Sequence, residues 1–357
     1  MAEQAEIKGY QMRLLLDSPL TGTVQNDMRM MVWSLFSLSK DPITELPVYD
    51  DGKVRIAVRG TSAGVATMWD KELLIYAGSV IREKIERGEK PERRINFTAN
   101  DFCRITGTKP CGKVYDRLEG GLARLQGTQI KTNLETGGSG EDGAFSWVTD
   151  YKVKYRRSRT GEKRMSHLTV EICEWLYRAI VHDASMLTYD PAYFYLPPLE
   201  RRLYEIARAH CASGSPVRFN LEQLRQRVGS QGDLKRFRLN LARARPIPDY
   251  GIALVTPDPE SETSGAKRTA RSLRSLSVVL YPLTMSSLFI PKESGTGLSE
   301  SSLPFGCADG TPTIAEPMLP AASHDTEVPK PTHRSHRTPS PKAGQRKRTV
   351  QTQGDAS

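Results

Sequence analysis

Cysteine is scarce in this 357-residue chain and poorly placed for cross-linking. The five residues Cys103, Cys111, Cys173, Cys211 and Cys307 are odd in number, widely scattered and contain no CxxC pair. Neither a zinc site nor a disulfide framework is indicated, and reduced thiols suit a cytoplasmic protein. Histidine is thin as well. Of His167, His182, His210, His324, His333 and His336, only the last two lie close together, and they sit in a polar tail. A strand-nicking enzyme would need paired histidines for its metal and a nucleophilic tyrosine beside them, and none of the 13 tyrosines has such a neighbour in sequence. No Ser–His–Asp or Cys–His arrangement stands out either. Long apolar runs are missing: nothing approaches the roughly 20 residues of a membrane span, and the start MAEQAEIKGYQ lacks the layout of a signal peptide. The expectation is a soluble, non-enzymatic, cytoplasmic protein with no cofactor, no metal and no membrane partner.

One motif mimics a cofactor site. Gly107-Thr-Lys-Pro-Cys-Gly112-Lys113 fits the first seven positions of a phosphate-binding loop, but Val114 stands where a magnesium-holding Ser or Thr is needed. The segment also follows a helical pattern and not a buried strand, so it is read as a turn between helices.

What the chain has in excess is positive charge. Lysine and arginine number 51 against 41 acidic residues, a net charge of +10, which raises the local concentration of polyanions and makes nucleic acid the first partner to consider. Residues 285–357 are rich in proline, serine, threonine and glycine and end near the basic cluster Gln345-Arg346-Lys347-Arg348. Such a segment buries too little apolar surface to offset its ordering entropy, and a disordered tail is expected. Residues 1–26 are expected to be a flexible N-terminus.

Between these ends lies an internal repeat. Arg94–Gly107 aligns with Val217–Gly229 at one constant offset: Phe97 with Phe219, Thr98 with Asn220, Asp101 with Gln223, Phe102 with Leu224, Gly107 with Gly229. Each copy reads as a short strand, an N-cap residue, a capping-box partner three positions on, a short amphipathic helix and a glycine suited to a left-handed turn. A second helix follows in each, over 112–125 and 233–245, and a longer helix precedes each, around 68–87 and 197–211. Strand pairs are expected after each copy, at 128–133 with 144–155 across the glycine-rich loop 135–143, and at 252–255 with 276–281. Helix, strand, helix, turn, helix, hairpin is the order of a winged helix-turn-helix. The fold class is therefore α+β, two tandem winged helix-turn-helix domains (27–165 and 166–284) and a disordered C-terminal tail.

In a helix-turn-helix the second helix enters the major groove. Stepping about 100° per residue away from the apolar stripe of 233–245 places Lys235, Arg236, Leu239, Ala242 and Arg243 outward, with Arg238 and Arg245 on the flanks. Guanidinium groups can bind guanine O6 and N7, and small apolar groups can touch a thymine methyl. A solvated helix usually mixes its charges; here only Asp233 opposes five basic residues, and it sits where the helix dipole favours it. The first copy offers Lys113, Asp116, Arg117 and Arg124, with Gly120-Gly121 explained either by close approach to DNA or by tight packing within the domain. Basic loops add Arg156, Arg157 and Arg159, and Lys267, Arg268, Arg271 and Arg274, suited to phosphates or the minor groove.

Residues 27–60 (Asp-Met-Arg-Met-Met-Val-Trp-Ser-Leu-Phe and Tyr49-Asp-Asp-Gly52-Lys-Val-Arg-Ile-Ala-Val), with Ala66-Thr-Met-Trp-Asp70-Lys and Arg117-Leu…Leu125-Gln-Gly-Thr128, resemble the bacterial plasmid replication initiator protein A family. The similarity runs from about 27 to 283 and is most specific over 27–135. It implies a protein that binds repeated sites (iterons) on double-stranded DNA at a plasmid replication origin, promotes opening of adjacent A·T-rich duplex and recruits the host replication initiator and replicative helicase. It further implies a first domain that combines DNA contact with homodimerisation, autoregulation of its own gene, and Trp33, Leu35, Phe36 and Leu38 as core of a strand-rich lead-in. A winged-helix transcriptional repressor without initiator activity would carry the same folds and charges, and stays open at this point.

Overall fold

The computed structural model describes residues 16–140, 143–157, 159, 161, 163–183, 185–211, 213–255 and 276–283. The expected tail and the cations Lys267, Arg268, Arg271 and Arg274 lie outside the described residues.

The chain is mixed α+β. Strand β1 (Gln25–Asp27) leads into helix α1 (Met28–Val32), whose N-terminus is capped by the Asp27 carboxylate accepting from the Arg29 N–H at 2.9 Å. Strands β2 (Tyr49–Asp50) and β3 (Arg55–Arg59) precede helix α2 (Lys71–Glu86). Strand β4 (Arg94–Phe97), helix α3 (Ala99–Ile105) and helix α4 (Gly112–Gly127) form the first copy of the repeat. Strands β5 (Gln129–Thr132), β6 (Phe145–Ser146), β7 (Val148–Arg157) and β8 (Lys163–Ile172) follow, then helix α5 (Glu174–Val181), strand β9 (Met186–Thr188) and the 3-10 turn Pro191–Tyr195. The second copy is helix α6 (Pro198–His210), strand β10 (Val217–Asn220), helices α7 (Leu221–Val228) and α8 (Leu234–Ala242), and strands β11 (Tyr250–Val255) and β12 (Ser277–Pro282).

The repeat is local in origin. Thr98 Oγ1 accepts from the Asp101 N–H at 3.1 Å, and Asn220 Oδ1 from the Gln223 N–H at 2.7 Å. Gln223 returns the bond to the Asn220 N–H at 3.2 Å, a complete capping box. Asp101 does not reach back. It faces inward, where its Oδ2 accepts from the Leu20 N–H at 2.9 Å and from the Tyr76 hydroxyl. Both turn glycines are left-handed, Gly107 at φ +64° and Gly229 at φ +79°. A side chain on either would also collide with a residue from elsewhere in the chain, Tyr195 over Gly107 and Ser34 over Gly229.

Strand pairing departs from the expected pattern in the first copy. Residues 129–132 pair with only the start of 144–155, Gln129 opposite Ser146 and Ile130 opposite Phe145, and β5 lies between β3 and β6 in the sheet order β2-β3-β5-β6. The hairpin is β7–β8, and it completes the three-stranded sheet β4-β8-β7. The expected domain division at 165 therefore falls inside β8. The glycine-rich loop is no wing: the Gly137 N–H donates to Asp183 Oδ1 at 2.9 Å, and the Trp175 indole donates to the Leu134 carbonyl at 2.9 Å. In the second copy, β12 lies between β10 and β11, as expected for a strand and a hairpin. Residues 17–26, expected to be loose, are docked. Leu20 is buried, Lys84 pairs with Asp17 at 2.5 Å, and the Thr21 and Gly22 N–H groups donate to Glu83.

The two copies meet through helix α2, which is buried around nearly its whole circumference and is thus a central core helix. Trp33, Leu35 and Phe36 are buried, and Leu38 packs partly buried against the core. The N-terminus of α2 faces α6 through a buried charge network. Lys71 Nζ donates to Glu205 Oε1 at 2.6 Å and to the Met30 carbonyl at 2.7 Å. Arg202 donates to the other Glu205 oxygen at 2.7 Å and to the carbonyls of Met31 (2.8 Å) and Arg227 (2.9 Å). The Tyr189 and Tyr193 hydroxyls complete the shell of Glu205 at 3.0 and 2.8 Å. Burial pulls the Lys71 ammonium down to about 8 despite Glu205 beside it. Burial on its own raises Glu205, but the fields of Lys71 and Arg202 outweigh it and hold this carboxyl below the usual range. Alongside, Arg201 donates to Glu72 at 2.7 Å and to the Phe194 carbonyl at 2.6 Å.

Removing one member of such a network strands the others. Glu205→Gln is expected to lower stability by about 3–5 kcal/mol, and the double change Lys71→Met with Glu205→Gln to cost less than the sum of the two single changes. Urea unfolding of all three variants checks this.

His210, edge-on to Phe219 at 5.5 Å, supplies a pH dependence. Burial first, then the positive field of Arg227, pushes it down to about 4 from an ordinary 6.5. Between those values the unfolded chain binds a proton that the folded chain does not. Its contribution is therefore intact above pH 6.5 and is lost as pH falls toward 4, by about 3 kcal/mol in all. Comparing urea midpoints of wild type and His210→Leu from pH 7 to pH 4 should show the variant losing less.

Candidate nucleic-acid interface

Helix α8 is built to face outward on one side. Asp233 caps it, its carboxylate accepting from the Arg236 N–H at 2.7 Å. Phe237 and Leu241 are buried beneath it, which fixes its rotation. The opposite face presents Lys235, Arg236, Arg238, Leu239 and Ala242, all exposed, with Leu239 at 47%. Arg243 caps the C-terminus, and Arg245 lies just past it, its backbone N–H donating to Glu200 Oε1 at 3.1 Å. Among the described residues, none of these five cations is paired with a carboxylate, although arginines elsewhere in the chain are paired repeatedly. Every candidate that the sequence assigns to this helix is thus brought to one open surface.

Helix α4 is different. Arg124 makes a bidentate contact with Asp70, both bonds at 2.8 Å, and Arg117 reaches Glu72 at 3.4 Å. Both guanidiniums point inward to the buried carboxylates at the start of α2 and are not on the open face. Only Lys113 and Asp116 among the expected residues are exposed there, joined by Glu119, which accepts from the Tyr155 hydroxyl at 2.9 Å. The Gly120-Gly121 pair serves packing: a Cβ on Gly121 would sit 2.8 Å from Asp70 Oδ1. The false phosphate loop, Gly107 to Lys113, is the turn between α3 and α4 and the first residues of α4.

The basic segment expected to be a loop is mostly strand. Arg156 and Arg157 end β7, exposed, with Arg159 exposed in the turn beyond. Lys152 and Lys154 lie on the same strand, also exposed. Their alternation with Tyr151 and Val153, a period-two signal present in the sequence, identifies a strand face.

Comparison with known proteins then settles the family. The profile of the replication initiator protein A family matches residues 25–252. The chain belongs to the replication initiator protein A family. A chain from Wigglesworthia glossinidia brevipalpis described as a replication protein is 28% identical over 243 residues, covering 67% of this chain and 87% of that one. A crystal structure of domains 2 and 3 of RctB, as its selenomethionine derivative, aligns with a TM-score of 0.48 at 12% identity over 70% of this chain and 94% of that one. A second RctB structure of domains 2–3 gives 0.45 at 11% identity over 73% and 99%. Among the described residues, no helix is long and apolar enough to cross a membrane.

Arg236→Glu or Arg243→Glu is expected to abolish sequence-specific binding while weakening non-specific binding only a few-fold, as read by gel shift with and without competitor DNA. Arg124→Ala is expected to act on stability instead. It strands a buried carboxylate, lowers stability by about 1–3 kcal/mol and leaves base preference unchanged.

Proposed function

We propose that this replication initiator binds repeated sites at a plasmid origin through two winged helix-turn-helix units held in one body, with α8 as the principal base reader. The observation that carries this is the set of five cations on and just past an outward, well-capped second helix, none paired with a carboxylate among the described residues, in a chain of this family. Strand, helix, left-handed turn and helix in both copies support the winged-helix assignment, with β7–β8 and β11–β12 as the wings. In this reading the wings rest on phosphates, α8 meets base edges, and Leu239 and Ala242 touch thymine methyls.

Opening of neighbouring A·T-rich duplex, recruitment of the host initiator and replicative helicase, repression of its own promoter and homodimerisation belong to the same proposal and rest on family membership. So does the absence of catalysis: supercoiled origin DNA incubated with the protein and magnesium is expected to remain unnicked. A repressor without initiator activity is separated by whether the gene supports replication of a plasmid lacking its own initiator.

Two readers in one chain are expected to protect about two helical turns of each repeat, with a log–log salt slope of about −5 to −9. Footprinting and a salt titration on the cognate origin fragment test this; protection of a single turn would refute the two-reader arrangement.

A further inference from the structure

The β7–β8 hairpin carries two cross-strand pairs of like charge near its tip, Arg156–Arg164 and Arg157–Lys163, and one near its base. At the base, Asp150 faces Glu171. Like charges directly opposed destabilise a hairpin, and here the protein supplies the remedy itself: Arg94 reaches Glu171 at 2.7 Å and Asp150 at 3.3 Å, and Arg93 reaches Glu171 at 2.9 Å. Toward the tip, Lys154 faces His167 and Arg156 faces Arg164. Among the described residues, no carboxylate pairs with Lys152, Lys154, Arg156 or His167. Among the described residues, the neutralisation that Arg93 and Arg94 give the base of the hairpin has no counterpart on this face.

The backbone is adapted to the same face. A bulge interrupts the ladder between the Lys154–His167 and Tyr155–Met165 pairs, leaving Ser166 unpaired. A bulge of this kind re-aims side chains and is common beside functional sites. Ser166 Oγ lies 3.4 Å from His167 Nδ1. Lys152, Lys154 and Arg156 alternate outward, while Met165, Leu168 and Val170 are buried on the other side. The result is a row of three cations, a hydroxyl and an imidazole along the outward face of the hairpin.

We infer that this outward face is a binding site for the nucleic-acid phosphodiester backbone and that His167 is one of its ligands, taking up a proton when the phosphate arrives. The inference rests on the DNA-binding reading above but not on sequence specificity. In the unbound protein, partial burial and then the positive charges of Lys154 and Arg156 hold His167 below its ordinary 6.5. On the elements packed around it the carboxylates are engaged elsewhere, Asp101 of α3 by the Leu20 N–H, Tyr76 and Arg104, and Glu171 by Arg93 and Arg94, so Lys154 and Arg156 set the field at the imidazole. A phosphate seated between them reverses the local field and favours the imidazolium. Affinity must then fall as pH rises through the window between the free and bound values.

The test is binding of a fluorescent 30-base-pair duplex of random sequence, and separately of the origin fragment, from pH 6.0 to 8.0 at fixed ionic strength. Wild type, His167→Gln and Lys154→Met are compared, with thermal melts confirming that each is folded. Wild type is expected to lose about five- to tenfold in affinity across that range on both duplexes, and His167→Gln to lose clearly less while matching wild type at pH 8. Lys154→Met should reduce the salt slope by about 1. Equal pH slopes for wild type and His167→Gln would overturn the inference. Loss of preference for the origin fragment, with the pH difference intact on random duplex, would instead overturn the origin-reading proposal alone.

Discussion

The arrangement of the two repeat copies depends on one buried carboxylate. Glu205 sits in α6 and is fully buried, held by Lys71 from the start of α2 and by Arg202 one turn back on its own helix. The cations also reach the carbonyls at the end of α1 and the end of α7. Four elements therefore converge on a single ion cluster. Burying such a cluster offers little net stability over a well-packed apolar core. What it supplies is direction, because each hydrogen bond is satisfied in only one relative placement of α2 and α6.

The same convergence explains why α4 and α8 are unequal. Helix α4 packs on the N-terminal end of α2, where Asp70 and Glu72 are already buried. Those carboxylates need cations, and Arg124 and Arg117 provide them. The neighbouring Gly121 lets the helix approach closely enough. Helix α8 rests on apolar contacts, Phe237 and Leu241 with Leu234 and Ala244 beside them, and none of its side chains pairs with a buried carboxylate among the described residues, so its cations face solvent. The first copy thus contributes structure through its second helix and positive charge through its hairpin, whereas the second copy contributes charge through the helix itself.

Local features were legible in the sequence. The caps at Thr98 and Asn220, the left-handed glycines Gly107 and Gly229, and the outward face of α8 all follow from interactions spanning a few residues. Strand pairing was only partly legible, because residues 148–155 alternate in the same way whether they continue the pairing of 145–146 with 129–130 or pair with 163–172. The choice is made by where β4 lies, far away in sequence. The sequestering of Arg124 was equally invisible: its partner is 54 residues distant, and nothing in the local pattern separates an inward arginine from an outward one. Lys71 and Glu205 are 134 residues apart, and charged residues at these positions read as solvated surface until the helices are brought together. Docking of residues 17–26 was missed for a related reason, since Asp17 and Leu20 meet Lys84 and Asp101 only after α2 and α3 are folded.

A rigid pairing of two readers has a consequence for the DNA on the proposed reading. Gly107 and Gly229 each sit under a residue from outside their own helix-turn-helix, Tyr195 and Ser34, so neither turn can shift without disturbing the packing between copies. The spacing and twist between the two contact surfaces are then set by the protein. Any mismatch with straight B-form DNA must be taken up by the duplex, at a cost that depends on the flexibility of the steps between the two contacts. Base pairs that the protein never touches therefore contribute to site preference, and strain imposed on the duplex at several adjacent repeats adds to the torsional load on the neighbouring A·T-rich segment. Weakening the Glu205 cluster would relax both effects together, because site preference and duplex distortion would have the same rigid body as their origin.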